Sequence, residues 1–297
     1  MRIVEVAVVG AGPAGCAAAV QCARLGLVPE LYDSSGCAGG LVANAFLVEN
    51  YPGPEAPLPG AEMALRLEAH LARFGLRVVK GDVRLLGGSD ESTRLAFADQ
   101  EIEARALILA PGTRPRPLGV AGEPEFAGRL LFYEALPLLA AIRARGDVLV
   151  VGGGEAALDY ALSLGRAGLR PRVLVRGGAP RANARLLGMA REAALSIETG
   201  VSVVSLRRDG DGVALAVEAA AGLREITADA VLAAVGRVSA LPYLFPGASG
   251  NGMDEMTLWP GVFAAGDARL GRVGQVGCAV GDGLLAAAAA FAHLKGA

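Results

Sequence analysis

Two glycine clusters carry the most specific chemistry in this 297-residue chain. The first is Gly10-Ala11-Gly12-Pro13-Ala14-Gly15, in which Gly10, Gly12 and Gly15 fit G-x-G-x-x-G. In such a turn the first glycine permits the sharp bend and the second lets backbone approach a pyrophosphate. The third lets a helix close on a strand. Unpaired N–H groups and the positive end of the helix dipole then favour phosphate oxygens. The second cluster, Gly152-Gly153-Gly154-Glu155-Ala156-Ala157, repeats the spacing with Ala157 in place of the third glycine. Alanine is small enough to preserve that contact. Asp33 lies 18 positions after Gly15, close to the roughly 20 expected of an acid that binds ribose hydroxyls. Its other reading is a turn or capping aspartate.

A second possible chemistry is that of thiols. The four cysteines, Cys16, Cys22, Cys37 and Cys278, show neither C-x-x-C nor zinc spacing, so no structural disulfide and no metal site are expected. Cys16 opens a helix, where the dipole would lower a thiol pKa, but packing also demands a small residue there. Cys37 falls in a loop beside Gly39-Gly40, and Cys278 falls between Gln275 and the closing helix. Cys22 reads as core. His70 and His293 have no motif around them. No catalytic residue is therefore assigned, and Cys278, Cys16 and Cys37 stand as the candidates.

The elements that must position these residues follow one plan, used twice. A buried strand, Ile3–Val9, precedes the first glycine turn, and a helix, Ala14–Leu25, follows it. Next come a strand Pro29–Asp33, a long Gly/Pro/Ser-rich loop over 34–60, and an amphipathic helix Ala61–Phe74. Short strands Arg77–Lys80, Val83–Leu86, Arg94–Ala98 and Glu101–Glu103 lead to a buried strand Ala106–Ala110. Loops as long as 34–60 inside a compact domain are usually functional, and its apolar Leu41, Val42, Phe46, Leu47 and Val48 suit a segment that covers a ligand. After a linker, Arg114–Gly128, and a helical periodicity over Leu130–Arg145, the plan returns. It runs through strand Asp147–Val151, helix Ala156–Ala167, strand Pro171–Arg176, a helix near Asn183–Ala194, three short strands, and Ala230–Val235. A strand ending at Gly266-Asp267 and an Ala-rich helix, Asp282–Leu294, close the chain.

Composition narrows the class. With 53% hydrophobic residues and a formal net charge of −2, no basic footprint points to nucleic acid. The chain runs early into its first strand, so no signal peptide is expected. The longest apolar helix read from the sequence, Leu284–Leu294, is far short of the roughly 20 residues that span a bilayer. No membrane partner and a cytoplasmic location are expected. The repeated plan predicts an α/β protein of two Rossmann-like dinucleotide-binding domains, each a three-layer ββα arrangement.

Together the two glycine turns, Val48-Glu49-Asn50-Tyr51-Pro52-Gly53, Ala110-Pro111-Gly112-Thr113, Val235-Gly236-Arg237 and Pro260-Gly261-Val262-Phe263-Ala264-Ala265-Gly266-Asp267 resemble the low-molecular-weight thioredoxin reductase family, in the family's order over nearly the whole chain. The resemblance implies an FAD domain split between 1–115 and 240–297, with an NAD(P)H domain, 116–239, inserted between, and a homodimer. It implies FAD contacts from Gly10, Gly12, Pro13, Ala14, Gly15, Asp33, Gly39, Gly40, Leu41, Asn50, Val83, Ala110, Gly112, Gly266, Asp267, Gln275 and Val276. It implies NAD(P)H contacts from Gly152, Gly153, Gly154, Glu155, Ala156, Val235 and Gly236. Arg176, which ends the strand after the second turn, and Arg181, five positions on, can take a 2′-phosphate through fork-like hydrogen bonds. They favour NADPH over NADH, but the family's histidine and one of its paired arginines are missing there, so both stay open, and two solvated surface arginines are the other reading.

The departure from the family is chemical. Its members pass electrons from flavin to a Cys-x-x-Cys pair before the second glycine turn, and residues 118–239 contain no cysteine. The expectation is an FAD-dependent NAD(P)H oxidoreductase that serves a small molecule or small redox protein without that dithiol. Two alternatives stay open: a disulfide reductase using Cys278, Cys16 or Cys37 singly, and a flavin-binding sensor without turnover.

Overall fold

The computed structural model describes residues 1–89, 91–97, 100–142, 145–244, 256–271 and 274–296. Its chain divides into two units. One comprises Met1–Ala43, Val48–Arg114 and Val238–Ala297, and the other Asn44–Leu47 and Pro115–Arg237.

In the first unit Arg2–Val9 is a central strand because Val6, Ala7, Val8 and Val9 are all buried, on both faces, the pattern of a parallel strand covered on each side. It pairs in parallel with Pro29–Asp33 on one edge and Gln100–Leu109 on the other. The sheet runs Thr257–Trp259, Val262–Ala264, Gln100–Leu109, Arg2–Val9, Pro29–Asp33, Val78–Lys80. Helices Pro13–Arg24 and Val276–Lys295 cover one face, through a core that joins Val6, Val8 and Ile108 to Ala18, Ala19, Ala286, Ala287 and Ala290. Antiparallel strands Val83–Gly88 and Thr93–Phe97 cover the other, through Ala7, Val9, Leu95, Phe97 and Leu107. This is the three-layer arrangement expected.

The second unit repeats it. Ser196–Thr199, Arg170–Val175, Asp147–Val151, Ala230–Ala233 and Leu131–Phe132 form a parallel sheet. Helices Ala135–Ala141 and Glu155–Arg166 pack on one side through Leu138, Leu158, Ala161 and Leu164. The antiparallel strands Ser202–Asp209, Gly212–Ala219 and Gly222–Ala228 pack on the other through Leu206, Val213, Leu215 and Ile226.

Four expectations need correction. Glu101–Glu103 and Ala106–Ala110 are one strand, Gln100–Leu109. Its first half pairs antiparallel with Thr93–Phe97, its second parallel with Val262–Ala264. Among the described residues of Leu130–Arg145 the helix is Ala135–Ala141 alone, because Leu131 and Phe132 join the sheet edge. The closing helix begins at Val276 rather than Asp282. It is thus 20 residues long, and by length and mean hydropathy alone could cross a membrane. Yet Asp282 is buried in its interior, and Ala286, Ala287 and Ala290 are core residues. Finally, Asn44–Leu47 groups with the second unit. There the Leu136 N–H donates to Asn44 Oδ1, the Phe46 N–H to Asp159 Oδ2, and Arg166 stacks 3.9 Å over the Phe46 ring. The expected end of the Arg94–Ala98 strand and part of the stretch Leu130–Arg145 lie outside the described residues, as does 245–255 of the expected 240–297 segment.

Candidate functional site

The first glycine turn is built by three glycines with different constraints. Gly10 has φ 102°, which disfavours any side chain, and a Cβ there would sit 2.1 Å from the Ala110 carbonyl oxygen. A Cβ on Gly15 would lie 1.7 Å from the Gly10 oxygen. Gly12 is extended, and nothing lies within 4 Å of where its Cβ would be. It is the N-cap of Pro13–Arg24 and offers no side-chain acceptor, leaving first-turn N–H groups for another acceptor. Two forbidden positions around one open helix N-terminus fit a pyrophosphate.

Neighbouring segments converge on that turn. The Gly39 N–H donates to the Ala11 oxygen at 2.8 Å, and a Cβ on Gly40 would lie 3.0 Å from Gly12 Cα. Leu41 follows in a 3₁₀ turn, Gly40–Asn44. Ala110 and Gly112 follow the strand against which Gly10 packs. A Cβ on Gly266 would lie 2.7 Å from Ala14 Cβ, which brings Gly266-Asp267 to the same helix start. Asp33 Oδ2 accepts from the Ala11 N–H at 2.8 Å, while Oδ1 accepts from the Ser35 N–H and hydroxyl at 2.8 and 2.6 Å. The turn reading of Asp33 is thus realised, and lone pairs on both oxygens still leave room for ribose. The Gly81 N–H bonds the Asp33 carbonyl, and Val83, two positions on, is buried. Away from this turn, Asn50 Nδ2 donates to Gln275 Oε1, and Val276 begins the closing helix.

Sequence reasoning missed the support beneath Gly266. Buried Asp282 accepts from the Gly266 N–H at 2.7 Å and pairs with Arg269. A single acid in an otherwise apolar Ala-rich run was the available signal, since burial of an unpaired carboxylate is prohibitive. Gly283 was missed too. A Cβ there would sit 2.1 Å from the Ala14 oxygen, so the closing helix can approach the first one only through glycine.

The thiols are sorted by burial. Cys16 is buried and donates to the Ala11 oxygen at 3.2 Å. Burial pushes its thiol up to about 12, against the dipole effect expected from its helix position. Cys22 is raised to about 12 for the same reason. Cys37 and Cys278 are exposed. Cys278 lies inside the closing helix, in its first turn, and not ahead of it.

The second unit holds the matching turn. Gly152 has φ 154°, with a Cβ position 2.3 Å from the Ala234 oxygen. A Cβ on Gly153 would meet Val175 Cγ1 at 2.6 Å. Gly154, the extended N-cap of Glu155–Arg166, has open space where its Cβ would be. Ala156 follows Glu155 in that first turn, and Ala157 is fully buried. Arg176, just past the strand Arg170–Val175, and Arg181 are both exposed. The Arg181 N–H donates to the Gly153 oxygen at 2.6 Å. Val235 is exposed, and Gly236, φ 117°, accepts from the Arg116 N–H.

Residues 4–283 match the model of the pyridine nucleotide-disulphide oxidoreductases. The chain belongs to that family. It is 31% identical over 300 residues to the thioredoxin reductase of Treponema pallidum, covering 98% of this chain and 97% of that one. It is 31% identical over 297 residues to that of Bacillus subtilis, covering 96% and 93%. Its structure is similar to that of Lactococcus lactis thioredoxin reductase, with a TM-score of 0.88 and 26% identity over 99% of this chain and all of the other. The chain is a thioredoxin reductase-like oxidoreductase of a family that uses FAD and NADPH. The open N-caps at Gly12 and Gly154 fit two dinucleotides.

Proposed function

We propose that this chain carries electrons from NADPH through FAD to an external acceptor without a protein dithiol in its second unit. The observation behind this is that the unit bearing the second glycine turn has no cysteine: none occurs over 118–239. Bound FAD supplies two-electron redox chemistry between nicotinamide and acceptor. The chain's own residues bind and orient. In the first unit Gly10, Gly12, Pro13, Ala14 and Gly15 cradle the FAD pyrophosphate and Asp33 holds its adenosine ribose. Gly39, Gly40, Leu41, Val83, Ala110 and Gly112 line the same nucleotide, while Asp267, beside Gly266, orients the ribityl end. Asn50, Gln275 and Val276 face the flavin.

In the second unit Gly152, Gly153, Gly154 and Ala156 take the coenzyme pyrophosphate, with Val235 and Gly236 alongside. Arg176 and Arg181 take the 2′-phosphate, which selects NADPH over NADH. The acceptor is a small molecule or a small redox protein. A homodimer and a cytoplasmic location belong to the same proposal and rest on the family likeness.

Anaerobic absorbance titration tests the reading. NADPH bleaches the flavin at one equivalent and NADH only at large excess, and reoxidation is then followed with quinones, ferredoxin, oxygen, thioredoxin and small disulfides. Sustained reduction of thioredoxin would overturn the dithiol-free scheme, and a flavin still oxidised under both nucleotides would make the chain a flavin-binding sensor. The exposure of Cys278 and Cys37 favours one second reading, a single-thiol disulfide reductase. Loss of small-disulfide reduction in one of Cys278→Ser, Cys37→Ser and Cys16→Ser would establish it, and unchanged reduction in all three would eliminate it.

A further inference from the structure

The loop that carries the two coenzyme arginines has little reason of its own to hold a shape. It runs from Arg176 to Asn183 through Gly177-Gly178. No atom lies within 4 Å of a Cβ on Gly178, and Gly177 has only the Ala179 oxygen at 3.7 Å. Arg176, Arg181 and Asn183 are exposed. Such a segment loses conformational freedom on ordering, and arginines on it discriminate a phosphate only if something else holds them.

Glu155 supplies that hold. It is the first residue of Glu155–Arg166, next to Gly154. Its Oε1 accepts from the Asn183 N–H at 3.2 Å and from Asn183 Nδ2 at 3.0 Å. Asn183 Oδ1 in turn accepts from the Leu186 N–H at 2.9 Å and caps Ala184–Glu192. Two residues before Asn183, Arg181 bridges Gly154 and donates its N–H to Gly153. At the near end the Gly200 N–H anchors the Gly177 carbonyl at 3.0 Å. The glycine turn and the arginine loop are thus one hydrogen-bonded piece. A carboxylate in the first turn of a helix is favoured by the positive end of the dipole. Here its Oε1 is spent on two donors of the loop.

We infer that Glu155 is a specificity-positioning residue: it anchors the 176–183 loop through Asn183, so that Arg176 and Arg181 meet a 2′-phosphate. This rests on the NADPH reading above, and the experiment separates the two. Calorimetric binding of adenosine 2′,5′-bisphosphate and of 5′-AMP to the FAD-loaded protein isolates the 2′-phosphate, and flavin bleaching by NADPH and NADH gives the parallel ratio. Glu155→Ala weakens the bisphosphate about tenfold, the scale of one charge-assisted hydrogen bond, and leaves 5′-AMP within about twofold. Glu155→Gln, which keeps an accepting oxygen, retains the wild-type preference. Asn183→Ser, which keeps a helix cap but loses the amide donor, falls between. Equal weakening of both probes in Glu155→Ala would assign Glu155 to the turn alone and overturn the inference, as would no weakening of either. If Arg176→Ala and Arg181→Ala also leave bisphosphate binding unchanged, the NADPH reading itself fails.

Discussion

Gly281 and Gly283 lie two positions apart in the closing helix, and alanine should change stability in opposite directions at the two. No atom lies within 4 Å of a Cβ on Gly281. Alanine there gains helix propensity over glycine of up to about 1 kcal/mol. At Gly283 the same methyl would lie 2.1 Å from the Ala14 oxygen, 2.9 Å from its carbonyl carbon and 3.1 Å from its Cα. These are backbone atoms that no rotamer can move, so the two helices must part. Overpacking of this kind costs about 1–3 kcal/mol, and parting also loosens Ala286, Ala287 and Ala290. Against a propensity gain of up to about 1 kcal/mol, Gly283→Ala should lose about 1–2 kcal/mol net. At about 2–4 °C per kcal/mol for units of this size, Gly281→Ala should melt about 2 °C above wild type and Gly283→Ala about 5 °C below. Melting by circular dichroism measures both, with flavin release recorded in parallel because Ala14 opens the helix that follows the first glycine turn. A Gly283→Ala protein as stable as wild type would refute the claim that close approach dictates glycine there.

Three further outcomes follow from the described geometry. An exposed-thiol reagent should label Cys37 and Cys278 quickly, and label Cys16 and Cys22 only on unfolding, since burial pushes both of the latter up to about 12. Fast labelling of four thiols in native protein would contradict this. Gly12→Val and Gly154→Val enter open space from extended backbone and should leave folding intact, the first abolishing flavin retention and the second coenzyme binding. Burial raises Asp159 to about 6 from 3.8. The native state therefore keeps a proton that the unfolded chain gives up, and stability falls as pH rises from about 4 to 6. At pH 7 this amounts to about 3 kcal/mol. Asp159→Asn still accepts from Phe46, so its stability advantage over wild type should widen between pH 4.5 and 7 in urea titrations. A constant gap would show the carboxyl to be ordinary.

What the sequence made legible was local. A buried run, a glycine turn and an apolar helix are contiguous, so both dinucleotide turns and the strands beside them could be read directly. Misreadings arose where a partner distant in sequence decides the outcome. Gln100–Leu109 looked like two strands because its two halves serve different ladders, one with the preceding hairpin and one with Val262–Ala264. The closing helix seemed to start late because Gly277, Gly281 and Gly283 depress helix propensity, yet Gly283 is there for the helix packed against it. Leu131 and Phe132 carry a helical period but are claimed by a sheet edge. At Glu155 the motif position gave no sign that its side chain also engages Asn183, 28 residues away. For Cys16 the sequence offered both a dipole-activated thiol and a packing residue, and burial decides for packing.

The double duty of Gln100–Leu109 also bears on how the chain is made. The edge at Leu107–Leu109 pairs with Val262–Ala264, and Ala286, Ala287 and Ala290 complete the helical side of the core. At ribosomal rates of about 5–20 residues per second, roughly 150 further residues take about 10–30 seconds to follow. Throughout that interval the nascent first unit exposes an open parallel edge and an uncovered apolar face, the features that recruit chaperones or seed aggregation. Nearly all of the second unit, Pro115–Arg237, emerges meanwhile as one uninterrupted stretch. The order of folding therefore runs against the order of synthesis: the inserted unit can finish folding while the unit that began the chain still waits for its last helix.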